Sequence, residues 1–203
     1  MGFIISTDFG EVEITPQAGA LDIEKLSMHP GIGEFSDYRS LITSTAALTA
    51  QAEAEQATLA LASHQEQIVG YAVLRPPQPG ERWQEMPIMR ELFCEVARSR
   101  RGGQIIKNLL SCLHHQPQQE EQILYLVGYS WHWDLSGSGK SVTQYRQSLI
   151  HLVQGLGYKE YPTNEPNVGL RTENLFMARL GANLDASHKR AFSRLLFGIS
   201  DNW

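Results

Sequence analysis

Between Met89 and Trp133 the chain passes from an apolar, acid-bearing run (MRELFCEVA) through a basic glycine turn (RSRRGG) into an amphipathic stretch. It then reaches a second apolar run, ILYLVGYSWHW. Two strand-like runs joined through a helical period are the signature of a parallel crossover, so this segment predicts a β-α-β unit. The strands are expected over Met89–Ala97 and Ile123–Trp133. The helix is expected over Gln104–His114, with Ile105, Leu109, Leu110 and Leu113 on one side. Arg98–Gly103 forms the turn before the helix, and His114–Gln122 a polar loop after it.

The flanking sequence dilutes this parallel unit with antiparallel signals. Phe3–Thr7 and Glu11–Thr15 read as a hairpin around Asp8-Phe9-Gly10, and Thr58–Ser63 and Gln67–Arg75 as two further strands. Pro76, Pro77, Pro79 and Gly80 end the last of these, because proline donates no ladder hydrogen bond. Helices are expected over Leu21–Met28 and over Ser36–Glu55, the second on the spacing Leu41, Thr45, Leu48, Ala52. Ser141 caps a helix running to Leu156 before Gly157. Strands at Lys159–Tyr161 and Leu175–Leu180 and a helix at Ala186–Phe197 close the chain. The class is α/β with a mixed, mostly antiparallel sheet flanked by helices. At 203 residues, 42% hydrophobic and 19% charged, the chain suits one ordered domain. Its expected parts are an N-terminal hairpin and helices (1–56), a core (57–181) and a C-terminal helix (182–203).

Charge narrows the partners. Before Arg98 there are 5 basic and 14 acidic side chains, net −9; from Arg98 on there are 12 and 8, net +4. An overall −5 argues against a general nucleic-acid binder, while a basic half still suits a local anionic ligand. No apolar run approaches the ~18–20 residues that span a bilayer. The start, MGFIIST, reads as a strand rather than as a secretory leader or an acylation signal. Cys94 and Cys112 are flanked by apolar residues without CxxC or HxxxH spacing. They read as buried thiols of a cytoplasmic protein, with no metal site. Gly137-Ser-Gly-Lys-Ser141 imitates the end of a P-loop, but Asp134 stands where that loop requires glycine. His114-His115 and the cluster Lys189, Arg190, Arg194 read as solvated surface, the cluster alternatively as a docking face for an acidic partner.

An Arg/Gly turn feeding a helix N-terminus is suited to an anion, since free backbone N–H groups point outward there and glycine permits close approach. Arg98, Arg100, Arg101 and Lys107 add charge that would screen phosphates. The strand–turn–helix resembles that of the GNAT acyltransferases, whose Arg/Gln-x-x-Gly-x-Gly/Ala motif cradles the pyrophosphate of acetyl-CoA. Arg101 takes the first motif position, and QIVGYAVLR resembles the third strand of that fold. Gln104 and Ile106 stand where the motif has Gly and Gly/Ala, with Gly102 and Gly103 between. Glu81-Arg82-Trp83, Trp131-His132-Trp133-Asp134-Leu135 with Gly137 and Gly139, Tyr145-Arg146 and Phe176–Gly181 narrow the resemblance to the AcuA-type acetyltransferases of acetoin utilization. The likeness covers roughly Ala57–Gly181.

The resemblance implies a sheet splayed between its fourth and fifth strands, acetyl-CoA as co-substrate, and acetyl transfer to a lysine of an AMP-forming acetyl-CoA synthetase. It sets Val96, Arg101, Gly102, Gly103, Gln104, Ile106 and Lys107 around acetyl-CoA. An amine attacking a thioester needs a base, an oxyanion donor and an acid for the thiolate. Glu95 is the first candidate base, with His132 oriented by Asp134 the second; strand alternation would put His132 and Asp134 on one face. A backbone N–H near Val96 would hold the oxyanion, and Tyr145 or Tyr129 would protonate the thiolate. Two other readings stay open: a GNAT-fold binding module without catalysis, which Gln104 and Ile106 favour, and an acetyltransferase for a small amine.

Overall fold

The structure, a computed structural model, describes residues 2–33, 42–102, 104–114 and 116–199. The strands are β1 (Phe3–Thr7), β2 (Gly10–Thr15), β3 (Ser27–Met28), β4 (Thr58–His64), β5 (Gln67–Arg75), β6 (Met89–Val96), β7 (Ile123–Gly128), β8 (Lys159–Glu160) and β9 (Leu175–Leu180). The helices are α1 (Ala20–Ile23), α2 (Thr45–Glu53), α3 (Ile105–Leu113), α4 (Leu135–Ser138), α5 (Val142–Gln154), α6 (Pro166–Gly169) and α7 (Ala186–Leu195). One sheet runs in the order β1-β2-β4-β5-β6-β7-β9-β8, with β3 added beside β5. All neighbours are antiparallel except β6–β7 and β3–β5.

β5 is the central strand because seven of its nine residues, Ile68 to Leu74, are buried on both faces. On one face α3 lays Ile105, Leu109, Leu110 and Leu113 onto the sheet. Burial at about 2 kcal/mol for each such side chain anchors the helix far more firmly than helix propensity could. Its first turn comes close because Gly70 has no side chain: a Cβ there would meet Glu95 O at 3.1 Å and Ile105 Cγ2 at 3.3 Å. That contact sets the N-terminus of α3 against the end of β6. On the other face α7 packs Phe192 and Leu195 around Trp83, Tyr125 and Phe176, and α1 and α2 cover β4 and β5 through Ile23 and Leu48.

Three expected elements differ. The helix over Leu21–Met28 is only the turn α1, because Ser27 N–H donates to Glu66 O and His29 N–H to Ile68 O. The start of β5 extends past the end of β6 and offers those ladder partners, so Ser27–Met28 becomes β3. Of the helix over Ser36–Glu55, residues 34–41 (with Leu41) lie outside the described residues; α2 starts behind Ser44, whose hydroxyl accepts from Ala47 N–H. The strand over Ile123–Trp133 stops at Gly128. There the next ladder group, Ser130 N–H, donates instead to the buried Asn174 side chain at 2.7 Å, and Ser130–His132 turns as a 3-10 helix. His114 is not solvated surface either. Its ring nitrogens bond Leu110 O at 2.6 Å and the Tyr158 hydroxyl at 2.9 Å, while His115 lies outside the described residues.

Candidate active site

β6 and β7 pair only at their first residues, Met89–Glu91 against Ile123–Tyr125, and then diverge. These are the fourth and fifth strands of the expected sheet, and the splay lies between them. Ala97 N–H donates to Val69 O across the β5 edge at 2.9 Å. Backbone direction alternates along a strand, so the N–H groups of Cys94 and Val96 point the other way, into the gap. Val96 thus offers a backbone donor to the gap.

The loop after β6 holds two positions at positive φ. Gly102 has φ +93°, and Gln104 sits at φ 64°, ψ −4°, the left-handed conformation that favours glycine. Holding a glutamine there costs roughly 1 kcal/mol, a strain typical of ligand-clamping turns. Gln104 gives α3 no side-chain cap, so the first N–H groups of that helix remain available to an anion. Ile106 packs its side chain on the core below α3 rather than into the turn, and Lys107 is exposed. Gly103 lies outside the described residues.

Three of the four expected phosphate-screening cations have intramolecular partners. Arg98 grips Asp134 in bidentate fashion, Nε to Oδ2 at 3.0 Å and Nη2 to Oδ1 at 2.8 Å. Arg101 donates from Nη1 to Asp134 Oδ2 at 2.5 Å and from Nε to Val96 O at 3.2 Å, bridging the loop to the splayed edge. Arg100 lies over the Phe9 ring at 4.5 Å, tying the loop to the β1–β2 turn.

Asp134 is fully buried and also accepts from Gly137 N–H at 2.8 Å. Burial pushes its carboxyl up, but the Gly137 N–H and the two guanidiniums outweigh this and hold it below the ordinary carboxylate value. Gly137 has to be glycine here: a Cβ would fall 2.5 Å from Arg98 Nε and from Asp134 Oδ2. The expected His132–Asp134 pair does not form, because the 3-10 turn breaks the strand alternation. His132 keeps an exposed edge but sits edge-on to Tyr129 and Trp131, and the partial desolvation of its ring lowers its pKa.

Glu95 lies on the face of β6 opposite Cys94 and Val96. Tyr71 Oη donates to its Oε2 at 3.0 Å and Gly33 N–H to its Oε1. Tyr71 is its cross-strand partner on β5, a contact that the antiparallel register places there. Glu91 and Phe93 share this face; burial raises the Glu91 carboxyl, although Arg75, bonded to it at 2.8 Å, counters this. Tyr129, just past β7, is pushed up to about 12 by burial, then by Glu165, Glu81 and Glu91. The field at Tyr129 is therefore acidic.

Tyr145, on α5, stacks on the buried Trp133 with ring centres 5.4 Å apart. Its hydroxyl is raised by burial, which the Arg101 charge and the Asp134 N–H only partly offset, so it keeps its proton at neutral pH. The Cys94 thiol is pushed up to about 12 by burial and by Glu95, which makes it a poor nucleophile. The Asp134 knot, the Tyr71–Glu95 bond and the Asn174 anchor were not anticipated. Only the first left a sequence signal: a lone acid in a tryptophan-rich block, matched with a cluster of arginines.

No protein-family model matches the chain. It is 31% identical over 196 residues to the acetoin utilization protein AcuA of Bacillus licheniformis, covering 95% of this chain and 92% of that one. The crystal structure of an acetoin utilization protein from Exiguobacterium sibiricum superposes with a TM-score of 0.88 at 30% identity, covering 97% of this chain and 93% of that one. A GNAT-superfamily phosphinothricin acetyltransferase of Sinorhizobium meliloti, solved in complex with acetyl-CoA, shares the fold at a TM-score of 0.52 and 17% identity, over 84% and 89% of the two chains. With its splayed mixed sheet and an identity of this extent to AcuA, the chain belongs to the AcuA-type acetoin utilization proteins and has the GNAT acetyltransferase fold.

Proposed function

We propose that the chain transfers the acetyl group of acetyl-CoA to a lysine side chain of a protein, of the kind represented by an AMP-forming acetyl-CoA synthetase. The observation that carries this reading is the gap between β6 and β7, with the N–H groups of Val96 and Cys94 turned into it and Glu95 on its acidic side. The residues fit the co-substrate. The uncapped N-terminus of α3, the left-handed Gln104 and Gly102 suit the diphosphate, and Lys107 adds an exposed cation. Acetyl-CoA supplies the activated thioester.

Glu95 takes a proton from the attacking amine as the new C–N bond forms. The Val96 N–H holds the negative charge that develops on the carbonyl oxygen. Tyr145 passes its proton to the sulfur as the C–S bond breaks, so both charges are quenched without a covalent enzyme intermediate. Glu81, Glu91 and Glu165 draw a protonated amine to this side of the gap. The exposed Leu170 and the Arg171–Trp131 stack (5.6 Å) give the adjoining rim apolar surface suited to a protein acceptor. Two partly buried free thiols accord with a reducing, cytoplasmic setting.

One observation favours a second reading, a GNAT-fold binding module: the loop arginines are engaged by Asp134 and Phe9 rather than left for phosphates. Titration calorimetry with acetyl-CoA separates the two, saturable heat supporting transfer and its absence the module. Incubation with acetyl-CoA and a purified acetyl-CoA synthetase, read by mass spectrometry, should then reveal a single acetylated lysine. Acetylation of small polyamines without modification of the synthetase would instead move the reading to a small-amine enzyme.

A further inference from the structure

At the end of the sheet away from the phosphate turn, Arg90 of β6 is only 8% exposed. Its Nη1 donates to Pro87 O and Met89 O, each at 2.7 Å, and its Nη2 to Gln56 Oε1. All three acceptors are neutral, and among the described residues no carboxylate lies within ion-pair distance of it. A desolvated guanidinium without a counter-charge is uncommon, since buried cations are normally paired. Burial here disfavours its charged form.

Arg90 forms part of the wall of a cleft of about 260 Å³, which Gln56, Thr58, Gln119 and Gln122 also line and which contains no acidic side chain. Gln56 is held at φ 59°, a left-handed conformation unusual outside glycine, with its amide oxygen on Arg90. The buried Oε1 of Gln119 has no donor. Arg90 Nε and one Nη2 hydrogen have no acceptor among the described residues. These two nitrogens share the guanidinium edge that takes a carboxylate in bidentate fashion, as Arg98 does with Asp134 in this chain.

We propose that this cleft is a binding site for a small organic carboxylate, its carboxylate forked on Arg90 and its remaining polar groups met by the glutamine amides. The site lies apart from Glu95 and the phosphate turn, so it stands whether or not acetyl transfer is the activity.

The test titrates the 15N-labelled full chain with acetate and with lactate, using chloride at matched ionic strength as control and inorganic phosphate as a competing class. The Arg90 Nε–H signal should shift saturably with acetate or lactate and not with chloride. Arg90→Gln, followed through the side-chain amide signals of Gln56 and Gln119, should abolish binding, but it also removes three internal bonds. Ala57, which also lines the cleft, therefore provides a second variant: Ala57→Phe fills the cleft while leaving those bonds, and should weaken binding at least ~10-fold. No saturable shift with either carboxylate, saturation by phosphate alone, or undiminished binding in the Ala57→Phe variant would overturn the proposal.

Discussion

Replacing Asp134 by Asn removes one negative charge from the centre of a buried knot and changes almost nothing else in shape. The carboxylate accepts three guanidinium N–H bonds, from Arg98 and Arg101, and one backbone N–H bond from Gly137. Removing one partner of a buried ion pair costs about 3–5 kcal/mol, because the other charge is left uncompensated. Here the two guanidiniums are 35% and 31% exposed, so water recovers part of that loss, and asparagine retains an oxygen for Gly137. The expected cost is about 2–3 kcal/mol, a fall in Tm of roughly 5–10 °C for a chain of this length.

The acid dependence follows from the direction of the shift. The folded carboxyl lies below its ordinary value of 3.8, so its stabilisation is complete at neutral pH and fades as pH falls through the folded value. The Tm gap between wild type and Asp134→Asn should therefore be flat from pH 8 to about pH 5 and narrow below about pH 4. Scanning calorimetry across that range, with a double-mutant cycle to Arg98→Met, measures both quantities. A gap under about 1 °C at pH 7, or a coupling below roughly 0.5 kcal/mol, would refute the reasoning.

Glu95→Gln should lower turnover about 10²-fold or more while leaving acetyl-CoA affinity nearly unchanged, as separate calorimetry and rate measurements will show. Unchanged turnover would move the base to His132. Gln104→Gly relieves the left-handed strain and should raise Tm by about 2–4 °C, with acetyl-CoA affinity unchanged or improved; a lower Tm would mean that the glutamine side chain stabilises the turn. Gly137→Ala forces a Cβ to within 2.5 Å of Arg98 Nε and Asp134 Oδ2, and should cost at least as much stability as Asp134→Asn, read by urea unfolding.

Periodicity was a reliable guide wherever a face was buried. The run QIVGYAVLR is apolar on both sides and forms the central strand, and the Ile105/Leu109/Leu110/Leu113 spacing puts α3 on the sheet. It misled beyond Gly128, where ILYLVGYSWHW remains strand-like in composition although Asn174, 44 residues after Ser130, captures the next backbone donor. Local propensity cannot register a competitor so distant in the chain. The same error produced the expected His132–Asp134 pair, which depended on strand alternation continuing through that segment.

The charge clusters were legible as residue types but not as partnerships. A basic turn before a helix points to an anion, yet it does not indicate that Arg98 and Arg101 turn inward to Asp134 while Arg100 covers Phe9. Likewise Gln104 and Ile106 read as departures from a glycine motif. The folded chain shows one in the left-handed conformation that favours glycine and the other turning its side chain into the core.

By itself the sequence determined the class of fold, the crossover from β6 through α3 to β7, the position of the anion-suited turn and the family, because each rests on a local pattern of apolar spacing or on a run of distinctive residues. Tertiary structure alone decided where β6 and β7 part, which carboxylate is knotted to arginines and which is held by Tyr71, and that Arg90 is buried without a counter-charge. Those outcomes depend on the register between strands distant in sequence and on which donors burial leaves unsatisfied, and neither is encoded in any single stretch of the chain.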